Sequence, residues 1–321
     1  MVSAPRRVIA MTGDSDFLYP LAIAMVSLAC HSADPIHLDY AIPEDWESVI
    51  SEEELTHVER LAESLNWSFS RVICPIEASR LPRTRHISSM TFMKPAYFDV
   101  TRHSFVAFLD GDLIAVSEWT SIFNSLGEFA IGACKEDNMF EFERAWAPHL
   151  PTGWYINAGV LSAQPRIWQA RYSDKWRGLL ANYPNFGFKL LEQDLMNAAL
   201  LGETAPINAE LNVRPAYGHP LKDASIVHYA GWWKPWLTVD SEVKALTPVM
   251  LESLVLYKRA EAAFEEHLTL GFESSEARFW ARAKTEVRGR LNWRAHWRYR
   301  RWDGTRRARR LLSSIRSVSR S

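Results

Sequence analysis

Three cysteines in 321 residues are too few for a disulfide framework. Cys30, Cys74 and Cys134 are far apart, odd in number and without metal-ligand spacing, so they read as buried thiols of a reducing compartment. No run reaches the roughly 18 to 20 apolar residues of a membrane span. The apolar stretch from Phe17 to Cys30 follows Asp14 and Asp16 rather than a basic lead-in, and no good cleavage pattern comes after it, so it reads as a buried helix and not a signal peptide. GxGxxG and GxxxxGK[ST] are both missing, which removes the main support for dinucleotide and P-loop chemistry. Net charge is scarce as well, at −1.

That balance conceals an asymmetry. From Arg278 onward there are 15 Lys/Arg against Glu286 and Asp303, a local +13, and the remainder carries −14. An acidic body therefore precedes a basic tail. At 47% hydrophobic content the body can bury a substantial core, and the length fits one large domain with an appendage.

The body opens with a strand over Arg7–Thr12, the helix Phe17–Cys30, a strand near Pro35–Ile42, an amphipathic helix from Ser51 and a strand over Ser68–Cys74. Leu55, Val58, Leu61, Ala62 and Leu65 give the second helix one apolar face, and its acidic first turn suits the helix dipole. This alternation argues for an α/β sheet of the nucleotide-binding kind. Further on, a helix is expected near Met90–Phe98, buried strands over Gly127–Cys134 and Trp154–Leu161, and a helix over Leu190–Leu201 whose core face is Leu191, Leu195, Ala198 and Ala199.

The stretch Phe105–Val116 is the centre of the chain. Five apolar residues run into Asp110-Gly111-Asp112, and a second apolar run follows. A strand buried on both faces cannot hide two unpaired carboxylates, so the pair belongs at its carboxyl end, where open α/β sheets bind ligands. Gly111 lets a phosphate approach the backbone, and hard oxygen ligands at this spacing suit a divalent cation bridging to a diphosphate. Asp-Gly is equally a turn dipeptide.

Other positions carry paired readings. Asp14, where the first strand ends, could meet a base or ribose or cap a helix. Ala158 and Gly159 allow close approach of a ligand or mark a bulge, beside the donor and acceptor of Asn157. Glu192, Gln193 and Asp194 crowd a first helical turn, where capping acids are common. His228, Gly231 and Lys234, each three residues apart, supply a metal ligand, amide donors and a point charge suited to phosphates, although a lone histidine at a strand end is usually structural.

In order, Asp14, Arg85-His86-Ile87-Ser88, Leu109-Asp110-Gly111-Asp112, Asn157-Ala158-Gly159-Val160, Gln193–Asn197 and His228–Trp236 resemble glycosyltransferase family 8, most closely its bacterial lipopolysaccharide α-galactosyl- and α-glucosyltransferases. The resemblance runs from about Arg7 to Trp236. It implies a GT-A nucleotide-diphospho-sugar transferase fold, a mixed, mostly parallel central sheet flanked by helices. It also implies retaining transfer of galactose or glucose from UDP-galactose or UDP-glucose to a cell-envelope glycan such as lipopolysaccharide core.

By the same resemblance Asp110, Asp112 and His228 hold Mn2+, with Mg2+ as second choice, since an imidazole among the ligands tilts the preference. Lys234 and the Gly231 amide meet the diphosphate, and Asp14 the uracil. Asn157 and Asp194 hold the donor sugar, and Gln193, near the anomeric carbon, is the nucleophile or, as the poor nucleophilicity of an amide favours, the group that steadies an oxocarbenium-like state. Three departures touch the sugar pocket. Lys94 stands where the family has arginine, Glu192 stands where aspartate is common, and the acid after the Gly127–Cys134 strand is either Glu136 or Asp137.

The expected division is 1–240 as catalytic domain and 241–321 as a helical, basic C-terminal extension. In that extension Trp280, Trp293, Trp297 and Trp302 are interleaved with arginines. The composition suits an anionic membrane surface, which points to a cytoplasmic protein peripheral on the inner face of the membrane. Nucleic acid is the less favoured partner, and a solvated terminus is the bland reading. The rival functions are a glycogenin-like transferase acting on protein or on itself, and a catalytically silent nucleotide-sugar or nucleic-acid binder.

Overall fold

The computed structural model describes residues 7–83, 87–136, 155–186, 188, 190–231, 233–238 and 243–287. Strands β1 (Arg7–Met11), β2 (Ile36–Pro43), β3 (Ser68–Cys74) and β4 (Val106–Leu109) run parallel in the order β3-β2-β1-β4. The chain then makes a short excursion. β5 (Leu113–Ala115) leaves this sheet to pair with β9 (Ile226–His228) in a separate antiparallel ribbon. β6 (Ile131–Lys135), β7 (Ile156–Ala163) and β8 (Ala205–Pro206) complete a seven-stranded mixed sheet in which β7 is antiparallel to both β4 and β6.

Alternation along β1 divides the interior in two. Ile9 and Met11 face a cluster built on α1 (Leu18–Cys30) and α2 (Glu52–Ser64). Val8 and Ala10 face a second cluster with α3 (Met93–Val100), α4 (Pro165–Arg171), α5 (Ser173–Ala181) and α6 (Glu192–Leu200). The helix starts follow local chemistry. Ser51 and Glu54 form a reciprocal capping box at α2, satisfying two otherwise unpaired N–H groups. Pro165 opens α4, where a missing N–H costs nothing.

Three details differ from the sequence-based expectation. β6 begins at Ile131 rather than at Gly127, because Gly127 takes φ +60° in a turn. Cys30 is exposed while Cys74 and Cys134 are buried; it is the last residue of α1, at the helix terminus. Trp280, expected at a membrane surface, is fully buried.

Trp280 lies in the helical run 274–287 (α8), which with α7 (Pro248–Gly271) joins the same apolar cluster as α1 and α2. Tyr19 of α1 donates to Glu261 of α7 at 2.9 Å, His57 of α2 hydrogen-bonds Glu276, and the Trp280 ring meets Phe264 and Phe279 edge-on. Residues 243–287 are thus part of the body's core rather than an arm beside it. Trp293, Trp297, Trp302 and the basic run around them lie outside the described residues, as do Arg85, His86 and Trp232. Among the described residues no helix is long and apolar enough to cross a membrane. Trp280→Ala should cost about 3 to 5 kcal/mol in urea unfolding, the usual effect of emptying a buried aromatic site; a change within ±0.5 kcal/mol would mean that α8 does not dock.

Candidate active site

Asp110 and Asp112 emerge at the carboxyl end of β4, where the chain crosses from the large sheet into the ribbon. The Asp110 N–H donates to the Gly159 carbonyl, and the Tyr229 N–H to the Asp112 carbonyl. Leu113 pairs with His228 across the ribbon. Strand pairing on both sides therefore fixes the two acids against the histidine.

Each carboxylate is divided between two tasks. Lys94 Nζ lies 2.8 Å from Asp110 Oδ1, and Lys234 Nζ lies 2.5 Å from Asp112 Oδ2. The other oxygens turn inward: Asp112 Oδ1 is 3.2 Å and Asp110 Oδ2 is 3.9 Å from His228 Nε2. Asp112 Oδ1 is buried and accepts no hydrogen bond from the described residues. Burial pushes the Asp110 carboxyl up, with Lys94 opposing. Asp112 is pulled well below the usual carboxylate range despite its burial, chiefly by Lys234. Burial would also push the Lys94 ammonium down, but Asp110 and Glu192 together hold it above the usual lysine range.

A chain of amides fixes the histidine's tautomer. The Glu136 carboxylate can only accept, so Asn157 Nδ2 donates to it at 2.9 Å. Asn157 Oδ1 then accepts from Asn212 Nδ2 at 2.9 Å, which leaves Asn212 Oδ1 to accept from His228 Nδ1 at 2.9 Å. With the proton on Nδ1, Nε2 aims a lone pair at two carboxylate oxygens, an arrangement that calls for a cation between them. Arg214 anchors the far end, 2.6 Å from Glu136 Oε1. The ring's seat needs Gly159, since a Cβ there would lie 2.0 Å from His228 Cε1.

The donor set of two carboxylates and one imidazole, with one orphaned buried oxygen, fits a divalent ion held by Asp110, Asp112 and His228, whose ligand atoms all lie within 4.8 Å of one another. The turn reading of Asp110-Gly111 fails, because β4 and β5 belong to different sheets. Gly111 also serves packing: a Cβ there would meet Leu21 and Phe17 of the α1 region at 3.2 Å. Gly231 takes φ +88°, and a Cβ would sit 2.9 Å from the Tyr217 hydroxyl, so a side chain there is strained on both counts.

Asp14 begins a short 3-10 turn without a capping hydrogen bond. It accepts instead from Ser88 Oγ at 2.7 Å, and burial raises its carboxyl above the usual value. The helix expected over Leu190–Leu201 runs from Glu192 to Leu200. It starts at Leu191, whose φ of +49° is a strained geometry for a leucine, costing about 1 to 3 kcal/mol. Asp194 secures that turn, accepting from the Leu190 N–H at 2.9 Å and from the Tyr155 hydroxyl at 2.5 Å. Asp194 is thus engaged with the helix start, whereas Glu192 reaches Lys94 Nζ at 2.8 Å and joins the aspartate cluster.

Gln193 Oε1 accepts from the Ala158 N–H at 3.0 Å and from Asn157 at 3.3 Å, and its amide nitrogen donates to Tyr155 at 3.2 Å. A register shift between Ala133 and Lys135 accompanies an exposed Lys135 and an inward Glu136; Asp137 lies outside the described residues. Sequence reading missed Asn212, the last residue of a 3-10 turn (Ala209–Asn212), and Arg214 two residues beyond it, with no motif to single them out. Asn212→Ala should weaken divalent-ion binding about 10- to 100-fold, and Gly159→Ala should abolish it while leaving the far-UV circular dichroism spectrum unchanged. Calorimetric titration decides: unaltered affinity in either variant contradicts the seat described for His228.

The family model for glycosyl transferase family 8 matches residues 8–240. Among solved structures, the galactosyltransferase LgtC in complex with donor and acceptor sugar analogues is 19% identical with a TM-score of 0.63, covering 80% of this chain and 95% of that one. The bifunctional glycosyltransferase WbbM is 16% identical with a TM-score of 0.61, covering 84% of this chain and 51% of that one. The glycosyltransferase GlyE of Streptococcus pneumoniae is 20% identical with a TM-score of 0.55, covering 82% and 63%. Comparison with curated proteins returns no match. These likenesses carry the GT-A fold, and the family model, spanning most of the sheet and every residue of the aspartate–histidine cluster, places the chain in glycosyl transferase family 8.

Proposed function

We propose that the protein is a retaining, Mn2+-dependent transferase that moves galactose or glucose from its UDP-sugar to a hydroxyl of a cell-envelope glycan such as lipopolysaccharide core. The observation that carries this reading is the convergence of Asp110 Oδ2, Asp112 Oδ1 and His228 Nε2, with the outer carboxylate oxygens already held by lysines. An ion bound there would neutralise charge developing on the departing diphosphate.

The chain's own residues would divide the remaining work. Lys234, 2.7 Å from the Tyr229 carbonyl as well as on Asp112, would offer its ammonium to the diphosphate beside the Gly231 amide. Asp14 would accept from the uracil. Asn157 and Ala158 would line the sugar site. Lys94 and Glu192, a buried ion pair touching Asp110, would meet sugar hydroxyls, and Glu192 is better placed for that task than Asp194, whose carboxylate secures a helix start. Gln193 is held by three protein partners, which supports a fixed dipole beside an oxocarbenium-like state rather than an attacking group. On that account the anomeric carbon–oxygen bond to UDP breaks and the acceptor hydroxyl adds on the same face, passing its proton to the departing diphosphate. Work on a membrane-linked acceptor from the cytoplasmic side, through the basic residues after 287, completes the proposal.

UDP release from UDP-galactose and UDP-glucose tests it. Release should require Mn2+, stop with EDTA, and fall by about 10³-fold in Asp112→Asn. Full activity of that variant, or release unaffected by EDTA, would refute the metal assignment.

A further inference from the structure

Two strands across the sheet from the aspartate strand, a second group of ligand-bearing side chains lies apart from the active site. His37 and Asp39 sit two residues apart near the start of β2, and so share one face of the strand. Asp39 pairs with Ala10 of β1, which pairs in turn with Phe108 of β4, so β1 lies between this group and the strand that carries Asp110. His103, in the loop between α3 and β4, closes the group from the side. His37 Nε2 is 2.9 Å from Asp39 Oδ1, and His103 Nε2 is 3.2 Å from Asp39 Oδ2. The three ligand atoms all lie within 4.8 Å of one another.

Three features make this more than a satisfied carboxylate. Asp39 is 2% exposed in a strand face otherwise used for core, and its ion-pair partners among the described residues are two imidazoles, each charged only when protonated. A buried carboxylate of this kind wants a permanent positive charge. The surroundings also resemble an outer shell: Tyr97 donates to Asp39 Oδ2 at 2.6 Å, Thr101 donates to Tyr97 at 3.2 Å, and Ser68 Oγ lies 2.8 Å from His37 Nδ1, positioned to accept a hydrogen bond from Nδ1–H and leave Nε2 as the ligand. Finally, the 2.9 Å between His37 Nε2 and Asp39 Oδ1 is near the roughly 3.3 Å edge of a tetrahedron with metal–ligand bonds of about 2.0 Å.

We infer that His37, Asp39 and His103 form a second divalent-metal site, specific for a borderline ion of the zinc type and distinct from the active site. Two imidazoles and one carboxylate select such an ion, whereas the active-site set leans on oxygen. The His103 side chain is 40% exposed and that of His37 17%, so the fourth position opens to water. Bound there, the ion ties β2 to the loop after α3. That helix also carries Lys94, so the clip would steady the lysine that holds Asp110.

The test uses the full chain carrying Asp112→Asn, stripped of metal with EDTA and titrated with Co2+ alone. One equivalent should bind, giving visible d–d bands that Zn2+ displaces, with a rise in Tm on adding Zn2+. Adding His103→Ala or His37→Gln to that background should weaken binding by at least about 100-fold and remove the Tm rise. His103→Ala in the otherwise unaltered chain should leave UDP release within twofold when Mn2+ is saturating. The inference is overturned if the Asp112→Asn chain binds no Co2+, or binds it equally with His37 or His103 replaced. Neither outcome depends on transferase activity, so a failure here leaves the proposed function standing.

Discussion

Two carboxylates placed at the end of a fully buried strand set the terms for everything around them. Such groups are costly to bury unless countercharge and hydrogen bonds meet them. Here the countercharge arrives from distant parts of the chain: Lys94 from α3, Lys234 from the loop after β9, and His228 from β9 itself. Each lysine takes one outer oxygen, and the inner pair is left facing an imidazole lone pair. The arrangement is two-sided, because the lysines stabilise the acids while their spare oxygens remain directed at one point.

The topology serves the same end. Had β5 continued beside β4, Asp110 and Asp112 would form an ordinary hairpin turn. Because β5 instead joins β9, the acids span the junction between two sheets, and His228 enters opposite them. Gly159 of β7 leaves the space that the histidine ring fills. The amide chain from Glu136 through Asn157 and Asn212 reaches the same ring from a third direction. Packing and polarity both converge on one imidazole.

Much of this was legible in the sequence. The opening strands and helices follow apolar periodicity and caps, and β1, β2 and β3 fall within a residue or two of their expected positions. Asp110, Asp112 and His228 could be grouped from their motifs. Periodicity could not indicate which acid of Glu192 and Asp194 faces the cluster, since that depends on the left-handed backbone at Leu191, a geometry leucine gives no reason to expect. Nor could it choose Glu136, which is turned inward next to a register shift. Asn212 and Arg214 act only through tertiary hydrogen bonds. Trp280 misled because composition reports that a tryptophan is present but not which side of a helix it occupies.

In the proposed function Asp110, Asp112 and His228 bind one divalent ion through their inward atoms. Anomalous diffraction at the manganese edge, from crystals soaked with Mn2+ and UDP, tests it most directly. A peak is expected within about 2.0 to 2.3 Å of Asp110 Oδ2, Asp112 Oδ1 and His228 Nε2, with Lys94 and Lys234 still on the outer oxygens. A strong peak elsewhere, with His228 Nε2 remaining unligated, would contradict it.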